Sequence, residues 1–326
     1  MDLNLPPAVT ARSVFECGGR MYSWADVVTA AHLRGSWREL EETALRGLAC
    51  QHRLAASGDA LIAGDVVAAT TRFRHERNLL SGDELEQWLG HWGIPAAAWR
   101  DYFRRLLLRE RWAGEVSETA DRFPVSGEQL APALWPEAVC SGLIERAARR
   151  LAGDVALAAA AHEPIAGDRN HQLARIHTVA DRARALVITD EAITREVASR
   201  RLEWLRIDGA VLDLPAEDVA REAAICIRVD GRTMAEMAAE CGVQVTPLSV
   251  YMADLEVDLA PSLLAAREGE LLGPLSRNGG FALLVVDRKV QPGVADPEIR
   301  RRASERVLSR AVERALSLYI TWREPL

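Results

Sequence analysis

The stretch that decides the fold reads GELLGPLSRNGGFALLVVDRKVQP, from Gly269 to Pro292. It contains a Gly-Pro step, a Gly-Gly turn and then an unbroken apolar run. Glycine favours tight turns because it adopts positive φ without steric cost, and a short apolar run bounded by turn residues favours a strand. The stretch therefore predicts a small sheet that folds back on itself, with a strand from Phe281 to Val290.

The segments that precede this stretch alternate between strand and helix patterns. Residues 202–214 and 250–257 predict strands, and residues 215–227 and 232–241 predict helices between them. The connection to the last strand is too short for a parallel crossover. This half of the chain therefore predicts an α+β arrangement with a small, mostly antiparallel sheet.

The N-terminal part is predicted to be mostly helical. Residues 14–22 (VFECGGRMY) favour two short strands around a Gly-Gly turn, and Ser23 then begins a helix as its N-cap. Ser81 and Glu84 have the spacing of a capping box, which predicts another helix that Gly93 ends. The whole chain is therefore predicted to be α+β but mostly α.

Aromatic side chains recur every three or four residues over two consecutive predicted helices, and they include Trp88, Trp92 and Trp99. That spacing is typical of a buried helix face, with a ligand surface as the alternative. A long, basic helix is predicted from Asp296 to about Trp322, near the end of the chain. Its arginines are interspersed with glutamates, which is typical of a solvated face.

Composition and charge narrow the classes of partner. The 326 residues are 49% hydrophobic and carry a formal net charge of −7, which disfavours binding to a nucleic-acid backbone. Neither a secretory signal nor an apolar segment long enough for a bilayer is found in the pattern. Five scattered cysteines without a CxxC motif are typical of reduced thiols. We therefore expect a cytoplasmic protein with no nucleic-acid or membrane partner.

No known catalytic or metal-binding motif stands out. His171 and His177 lie six residues apart, so they do not share a helical face, and surface histidines are the expected outcome. The sequence contains no G-x-S-x-G, P-loop, G-x-G-x-x-G or H-E-x-x-H pattern. We therefore predict neither a metal site nor a cofactor.

Three short stretches together resemble a known family. They read LGHWGIPAAAWRDYFRRL at 89–106, GRTMAEMA at 231–238, and GELLGP followed by GFALLVV between 269 and 286. In this respect the chain resembles the SurA-like (PpiC-type) parvulin prolyl isomerases and chaperones. Residues 13–112 are similar to the SurA N-terminal domain, and residues 202–291 are similar to the parvulin domain.

The resemblance implies a domain organisation. It implies a SurA-like helical N-terminal domain over 1–125, a helical connector over 126–200 and a parvulin-like antiparallel sheet domain over 201–292. The long C-terminal helix, within 293–326, would pack on the N-terminal lobe.

This chain departs from the family at the catalytic positions. Active parvulins place one histidine on the first strand of the domain and another after the Gly-Phe of the last strand. Here the first strand reads EWLRI at 203–207, the later position is Ala282, and no histidine follows His177. The Gly-Gly-Asp-Leu-Gly loop of the family is replaced by YMADL at 251–255. The resemblance therefore implies a degenerate member, a pseudo-isomerase without catalytic residues.

The function that follows is that of a chaperone or adaptor for a flexible, unfolded peptide. The mix of a SurA-like part and a histidine-free parvulin part resembles parvulin-related proteins of peptide maturation systems, in natural product biosynthesis. That likeness implies a ribosomally made precursor peptide as client and other peptide-modifying proteins as further partners. The predicted peptide-binding residues are Trp88, Trp92, Trp99, Leu205, Tyr251, Met252, Leu263, Phe281 and Ala282.

Two alternatives stay open. The chain would be an enzyme if the remodelled parvulin pocket modified a peptide, with Glu203, Arg206, Asp254 or Tyr251 as acid, base or oxyanion partner. A residual prolyl isomerase is the third alternative.

Overall fold

The computed structural model describes residues 6–61, 63–163, 167–255, 259–277 and 279–324. The chain divides into two compact units. The first comprises Met1–Ala185 together with Ala311–Leu326, and the second comprises Leu186–Arg310. No helix within the described ranges is long and apolar enough to cross a membrane.

The first unit combines a β-hairpin with a series of helices. The hairpin strands are β1 (Ser13–Cys17) and β2 (Arg20–Ser23). The helices, in chain order, are α1 (Pro7–Thr10), α2 (Trp24–Leu33), α3 (Ser36–Ser57), α4 (Ala63–Glu76), α5 (Gly82–Trp92), α6 (Ala96–Arg111), α7 (Val116–Arg122), α8 (Gly127–Cys140), α9 (Leu143–Ala160) and α10 (Arg169–Val187).

Local sequence signals set the ends of several of these helices. Ser23 caps α2 and Ser81 caps α5, each through a complete capping box with the acidic residue three positions on. Gly93 then ends α5 in the left-handed conformation, with φ 61°. The two strands and the two helices predicted from these signals are confirmed.

One large apolar core joins the hairpin to the helices of the first unit. Phe15 and Trp24, from the hairpin region and α2, belong to the same buried cluster as Trp135, Leu151 and Val179, from α8, α9 and α10. Residues 126–185 therefore group with the first unit, and the helical connector over 126–200 stays a prediction. The apolar faces of these helices pack against the N-terminal part of this core.

The second unit is built around a four-stranded antiparallel sheet, with strand order β4-β3-β6-β5. The predicted α+β, mostly α class with a small antiparallel sheet is confirmed. Its elements are α11 (Asp190–Ser199), β3 (Arg206–Leu214), α12 (Glu217–Val229), α13 (Met234–Cys241), β4 (Val245–Tyr251), α14 (Ala260–Ala265), β5 (Leu271–Arg277) and β6 (Gly280–Val290).

The strand predicted at 250–257 is placed differently. The observed strand β4 covers Val245–Tyr251 and so begins five residues earlier, while residues 256–258 lie outside the described residues. Pro247 weakens the strand signal in the sequence because proline donates no ladder hydrogen bond. It is tolerated here because β4 is an edge strand of the sheet.

Helices cover the two faces of the sheet unequally. Helices α12 and α13 pack against the face that carries Leu212, Leu214 and Leu283. The opposite face carries Val211 and Leu284, and the short helix α14 packs there through Leu263. We call this second surface the α14 face.

The end of the chain contributes to both units. Helix α15 (Pro297–Tyr319) buries Ile299 with the second unit, whereas Ala315 is buried in the first. Strand β7 (Thr321–Trp322) follows and pairs with β1, so the hairpin becomes a three-stranded sheet. The helix predicted to reach Trp322 therefore ends earlier, because this last segment takes up strand pairing.

Candidate functional site

Two of the predicted peptide-binding residues line a cavity in the first unit. Trp88 and Trp92 lie one turn apart on α5, beside a cavity of about 680 Å³. A volume of this order is typical of ligand-binding pockets. We call it the Trp88 cavity. Its lining residues are Glu76, Arg77, Leu79, Glu84, Gln87, Trp88, His91, Trp92 and Glu145.

Aromatic packing fixes the walls of the Trp88 cavity. The ring of Trp88 packs edge-on against Phe73, with centroids 5.4 Å apart. The guanidinium of Arg77 lies 5.6 Å from the Trp88 ring and donates a 2.6 Å hydrogen bond to Glu145. Trp92 packs edge-on against Trp24 at 5.0 Å. The cavity is therefore preformed, with Trp88 half-buried and Trp92 almost fully buried.

The rim of the Trp88 cavity is acidic. Three glutamates, Glu76, Glu84 and Glu145, line it together with a single arginine, Arg77. Hydrogen bonds from Ser81 lower the pKa of Glu84, so this carboxylate is charged at neutral pH. An apolar or aromatic surface beside carboxylates suits an apolar side chain flanked by lysine or arginine.

Trp99 does not line this cavity. It is buried on α6, where its ring packs edge-on against Phe103 at 5.3 Å and against Phe73 at 6.2 Å. The side chain therefore serves the core, in agreement with its helical spacing, and we do not propose it for direct contact with a ligand.

In the second unit, four predicted residues share the α14 face. Leu205, Met252, Leu263 and Ala282 belong to one apolar cluster there. Leu263 and Ala282 have no exposed surface and Leu205 is almost fully buried, whereas Met252 is half-buried. Met252 is thus the only one of the four that offers surface to a ligand. Half-buried apolar neighbours extend this face: Leu248, Val250, Leu255, Leu259, Leu272 and Leu275.

Phe281 does not belong to the α14 face. Successive side chains of a strand point to opposite faces, so Phe281 packs with the cluster of α12 and α13 while Ala282 packs with the α14 face. The structure therefore does not place these two predicted residues on one face of the sheet.

Ala282 lies in the centre of the sheet. Its Cα is paired with Asp213 on β3 and with Leu275 on β5, and its side chain is completely covered. This is the position at which the resemblance implies a catalytic histidine in active relatives. The sequence of the second unit contains no histidine at all.

Hydrogen bonds and ion pairs engage the polar groups that the enzyme alternative requires. The hydroxyl of Tyr251 donates to Asp296 at 3.0 Å, and burial together with this bond raises the pKa of Tyr251. Arg206 donates to Asp208 at 2.9 Å. Asp254 accepts two hydrogen bonds from Arg302 at 2.9 and 2.6 Å, and Glu203 pairs with Arg200.

This pattern is typical of a structural network. An acid or base that takes part in chemistry has to be free to reach a substrate, whereas these side chains are held by hydrogen bonds and ion pairs within the protein. The arrangement therefore does not favour the enzyme alternative.

Sequence reasoning missed a second cavity of the first unit. It has a volume of about 470 Å³ and lies among residues from the end of α2, the start of α3, α9 and α10. We call it the Arg150 cavity. Arg146, Arg150 and Asp154 lie four residues apart on α9, which is the one signal of it in the sequence. The residues that line it are Ala31, Arg34, Ser36, Glu39, Leu143, Arg146, Ala147, Arg150 and His177.

The part of the chain that the structure describes contains no assembled site for metal or thiol chemistry. No group of three or more His, Cys, Asp or Glu side chains is placed there to hold a metal ion. All five cysteines are free thiols. Burial raises the pKa of Cys140 to about 12, which keeps that thiol protonated and unreactive.

No family model and no curated protein sequence matches the chain. Among solved structures, it is similar to the foldase protein PrsA from Lactococcus lactis, with 11% identity, a TM-score of 0.29 and coverage of 96% of both chains. It is also similar to a SurA-like chaperone of Campylobacter jejuni, with 8% identity and a TM-score of 0.21. That match covers 96% of this chain and 99% of the other. With TM-scores this low, the fold class rests on the chain's own helices and strands.

Proposed function

We propose that this protein is a non-catalytic chaperone or adaptor that binds a flexible peptide client. The observation that carries the proposal is the Trp88 cavity, a preformed aromatic cavity with an acidic rim. The client segment would place an apolar side chain against Trp88 and a lysine or arginine beside Glu76, Glu84 or Glu145.

The energetics favour modest affinity. Burial of one large apolar side chain stabilises a complex by about 1.5–3 kcal/mol, and charge pairs at a solvated rim add little more. Ordering a flexible segment opposes binding. These contributions fall well short of the roughly 8.2 kcal/mol that corresponds to a Kd of 1 μM, so we expect weaker, readily reversed binding, which suits a client that must be released again.

The proposed client is bound without isomerisation. Rotation about an X-Pro bond is opposed by a barrier of about 18–20 kcal/mol, which a catalyst must lower with groups aimed at the twisted amide. At the position of the family's second histidine this chain has Ala282, which is fully covered. The sequence supplies no histidine to replace it in the second unit.

The natural client that we propose is a ribosomally made precursor peptide, held during its maturation in the cytoplasm. Support comes from the resemblance of the sequence to parvulin-related proteins of peptide maturation systems. Other peptide-modifying proteins of such a system would then act on the bound peptide. A precursor peptide incubated with this protein alone should keep its mass in mass spectrometry.

A titration tests the proposal. Fluorescein-labelled lysozyme, kept unfolded by reduction and carboxymethylation, should show saturable binding by fluorescence anisotropy. The cis–trans relaxation rate of an X-Pro test peptide should stay at its uncatalysed value in the same buffer. Absence of binding at ~100 μM protein, where a Kd of 1 mM would already bind about a tenth of the probe, would contradict the proposal. A protein-dependent increase in relaxation rate would contradict its non-catalytic part.

A further inference from the structure

The Arg150 cavity is built from side chains that converge from three helices. Arg146 and Arg150 project from one face of α9, and His177 projects from α10. Arg34 comes from the residue that follows α2. The walls therefore concentrate cationic and donor groups that are far apart in the sequence.

A buried carboxylate anchors these cations from behind. Asp154 has no exposed surface, and both Arg34 and Arg184 form ion pairs with it. Arg150 lies 3.7 Å from the same carboxylate, and so does Nδ1 of His177. One buried carboxylate thus faces three guanidinium groups and an imidazole, and the more exposed Asp181 also pairs with Arg184 and lies 3.6 Å from Nε2 of His177.

Among the side chains that the structure describes, several polar atoms of this cluster have no hydrogen-bond partner. Within the described residues, Nε of Arg34, Nδ1 of His177 and Oδ2 of Asp154 are buried in this cluster without a hydrogen-bond partner. Each guanidinium carries five N–H donors, whereas a carboxylate has two oxygens. Burial, together with the neighbouring cations Arg150 and Arg184, lowers the pKa of Arg34 to about 10, while the carboxylate of Asp181 opposes the shift. An anion bound in the cavity would supply further acceptors for these guanidinium groups.

The start of α3 adds a favourable field. Ser36, its first residue, lines the cavity, and the N-cap Gly35 provides no capping side chain. The N-terminus of a helix carries partial positive charge and attracts anions. Glu39 is the acidic member of the lining, against three arginines.

The cavity also has an apolar side. Ala31, Leu143 and Ala147 line it together with the cations. A volume of about 470 Å³ lies in the range of organic ligands and exceeds what a lone inorganic ion fills. The ligand that matches this lining is a carboxylate next to an apolar group.

We propose that the Arg150 cavity binds an organic carboxylate, with Arg146 and Arg150 donating hydrogen bonds to its oxygens and Leu143 contacting its apolar part. In a peptide, this group is the C-terminal carboxylate or the side chain of a glutamate or aspartate. Only the identification of the carrier as a peptide rests on the proposed function.

Helix α9 relates this cavity to the Trp88 cavity. Glu145 lines the Trp88 cavity, while the next residue, Arg146, lines the Arg150 cavity. The two sites thus share one helix and have opposite charge. A peptide with a basic, apolar segment followed by a carboxylate would match both.

Calorimetric titration of the full chain with four probes tests the inference. The probes are N-acetyl-Ala-Ala-Leu with a free carboxylate, its C-terminal amide, N-acetyl-Ala-Glu-Leu amide and inorganic phosphate. We expect at least one of the two carboxylate peptides to bind at least tenfold more tightly than the amide and than phosphate. Arg150→Gln should weaken carboxylate binding about tenfold, as expected for a charge-assisted hydrogen bond. The exposed Arg72→Gln, on α4, is the matched control and should leave it unchanged.

Each other outcome overturns the inference. The inference is wrong if amide and carboxylate peptides bind equally, if phosphate binds more tightly, or if the Arg150→Gln variant binds as the wild type does. A difference between the two carboxylate peptides identifies the C-terminal or side-chain source. If the carboxylate probes do not bind but unfolded lysozyme still does, only the assignment of the Arg150 cavity is wrong. If unfolded lysozyme does not bind, the proposed function is wrong.

Discussion

Ala282 shows how a single residue changes meaning between sequence and structure. In the sequence it stands where the family's catalytic histidine is expected, which suggests a residue at the bottom of a peptide groove. In the structure its side chain is completely covered on the α14 face of β6. The sequence shows directly that the histidine is absent. It does not show that the position is buried, because α14, which lies outside the strand, packs on this face.

Ala282→Trp should therefore act on stability. A tryptophan has no room at a fully covered position, and overpacking costs typically about 1–3 kcal/mol. Chemical denaturation should show a lower midpoint for this variant. Ala239→Trp, at an exposed position of α13, is the matched control and should leave the midpoint nearly unchanged. Wild-type stability of Ala282→Trp would mean that the position is open.

The carboxyl group of Asp26 should make the stability of the first unit depend on pH. Burial alone would raise the pKa of Asp26, but hydrogen bonds from Arg169, at 2.5 and 2.6 Å, and from Ser23 outweigh it and lower the pKa. A carboxyl whose pKa is lower in the folded state stabilises the fold above its unfolded pKa, about 3.9, and that stabilisation disappears as pH falls through the folded pKa.

Asp26→Asn should thus destabilise the protein by about 1–3 kcal/mol at pH 7, the range for hydrogen bonds to charged groups. The difference from the wild type should shrink as the pH falls below 4. Urea denaturation at several pH values measures it. A difference that does not depend on pH would show that the ionised form of Asp26 contributes nothing.

At the scale of elements, strand β3 depends on one glycine. The register between β3 and β6 shifts between Asp208 and Gly209. A Cβ built on Gly209 would overlap the carbonyl oxygen of Val285 on the neighbouring strand. This close approach explains why a residue without a side chain occupies the middle of a central strand.

Gly209→Ala should distort the pairing of β3 and β6 and lower the stability of the second unit by more than about 2 kcal/mol, as steric defects in a core do. Thermal unfolding followed by circular dichroism measures the effect. Gly293→Ala serves as the control, since a Cβ there meets nothing within 4 Å. Equal melting temperatures for the two variants would contradict the pairing described for β3.

Elements with strong local signals were predictable, and the others were not. Helices α2 and α5 carry complete capping boxes, so their starts follow from four consecutive residues. Strand β4 contains Pro247 and is stabilised by pairing with β3, a contact that local propensity does not register. Phe281 and Ala282 lie on opposite faces of the sheet because side chains alternate along a strand. The family motif alone does not show this.

At the scale of the whole molecule, residues near the two ends of the chain meet in the first unit. Strand β7 pairs with β1, and the backbone N–H of Arg323 donates to the carbonyl of Val14 at 2.8 Å. Glu324 accepts hydrogen bonds from Arg12 at 2.9 Å and from the indole of Trp24 at 3.1 Å. Such contacts are not visible in the sequence because 300 or more residues separate the partners.

Glu324→Ala should therefore lower the melting temperature of the first unit. The change leaves the buried indole N–H of Trp24 without its acceptor, which costs about 1–3 kcal/mol. Differential scanning calorimetry should show the shift, and the exposed Glu110→Ala on α6 should not. An unchanged transition would mean that the last residues do not contribute to the fold.

The two candidate cavities also differ in how far the sequence predicts them. Trp88 and Trp92 were identified in the sequence because two aromatic residues lie one turn apart on a well-marked helix. The Arg150 cavity was not, because its cations come from residues that only the packing of α2, α9 and α10 brings together. His177, expected on the surface, is half-buried within it.

Binding of unfolded, carboxymethylated lysozyme by Trp88→Ala tests the central claim most directly. The variant removes the aromatic wall of the Trp88 cavity, so its Kd in the anisotropy titration should rise about tenfold or more. Trp112→Ala, a partly exposed tryptophan at the end of α6, is the matched control and should bind as the wild type does. With both variants folded, equal affinity for the two would contradict the assignment of the Trp88 cavity as the peptide-binding site.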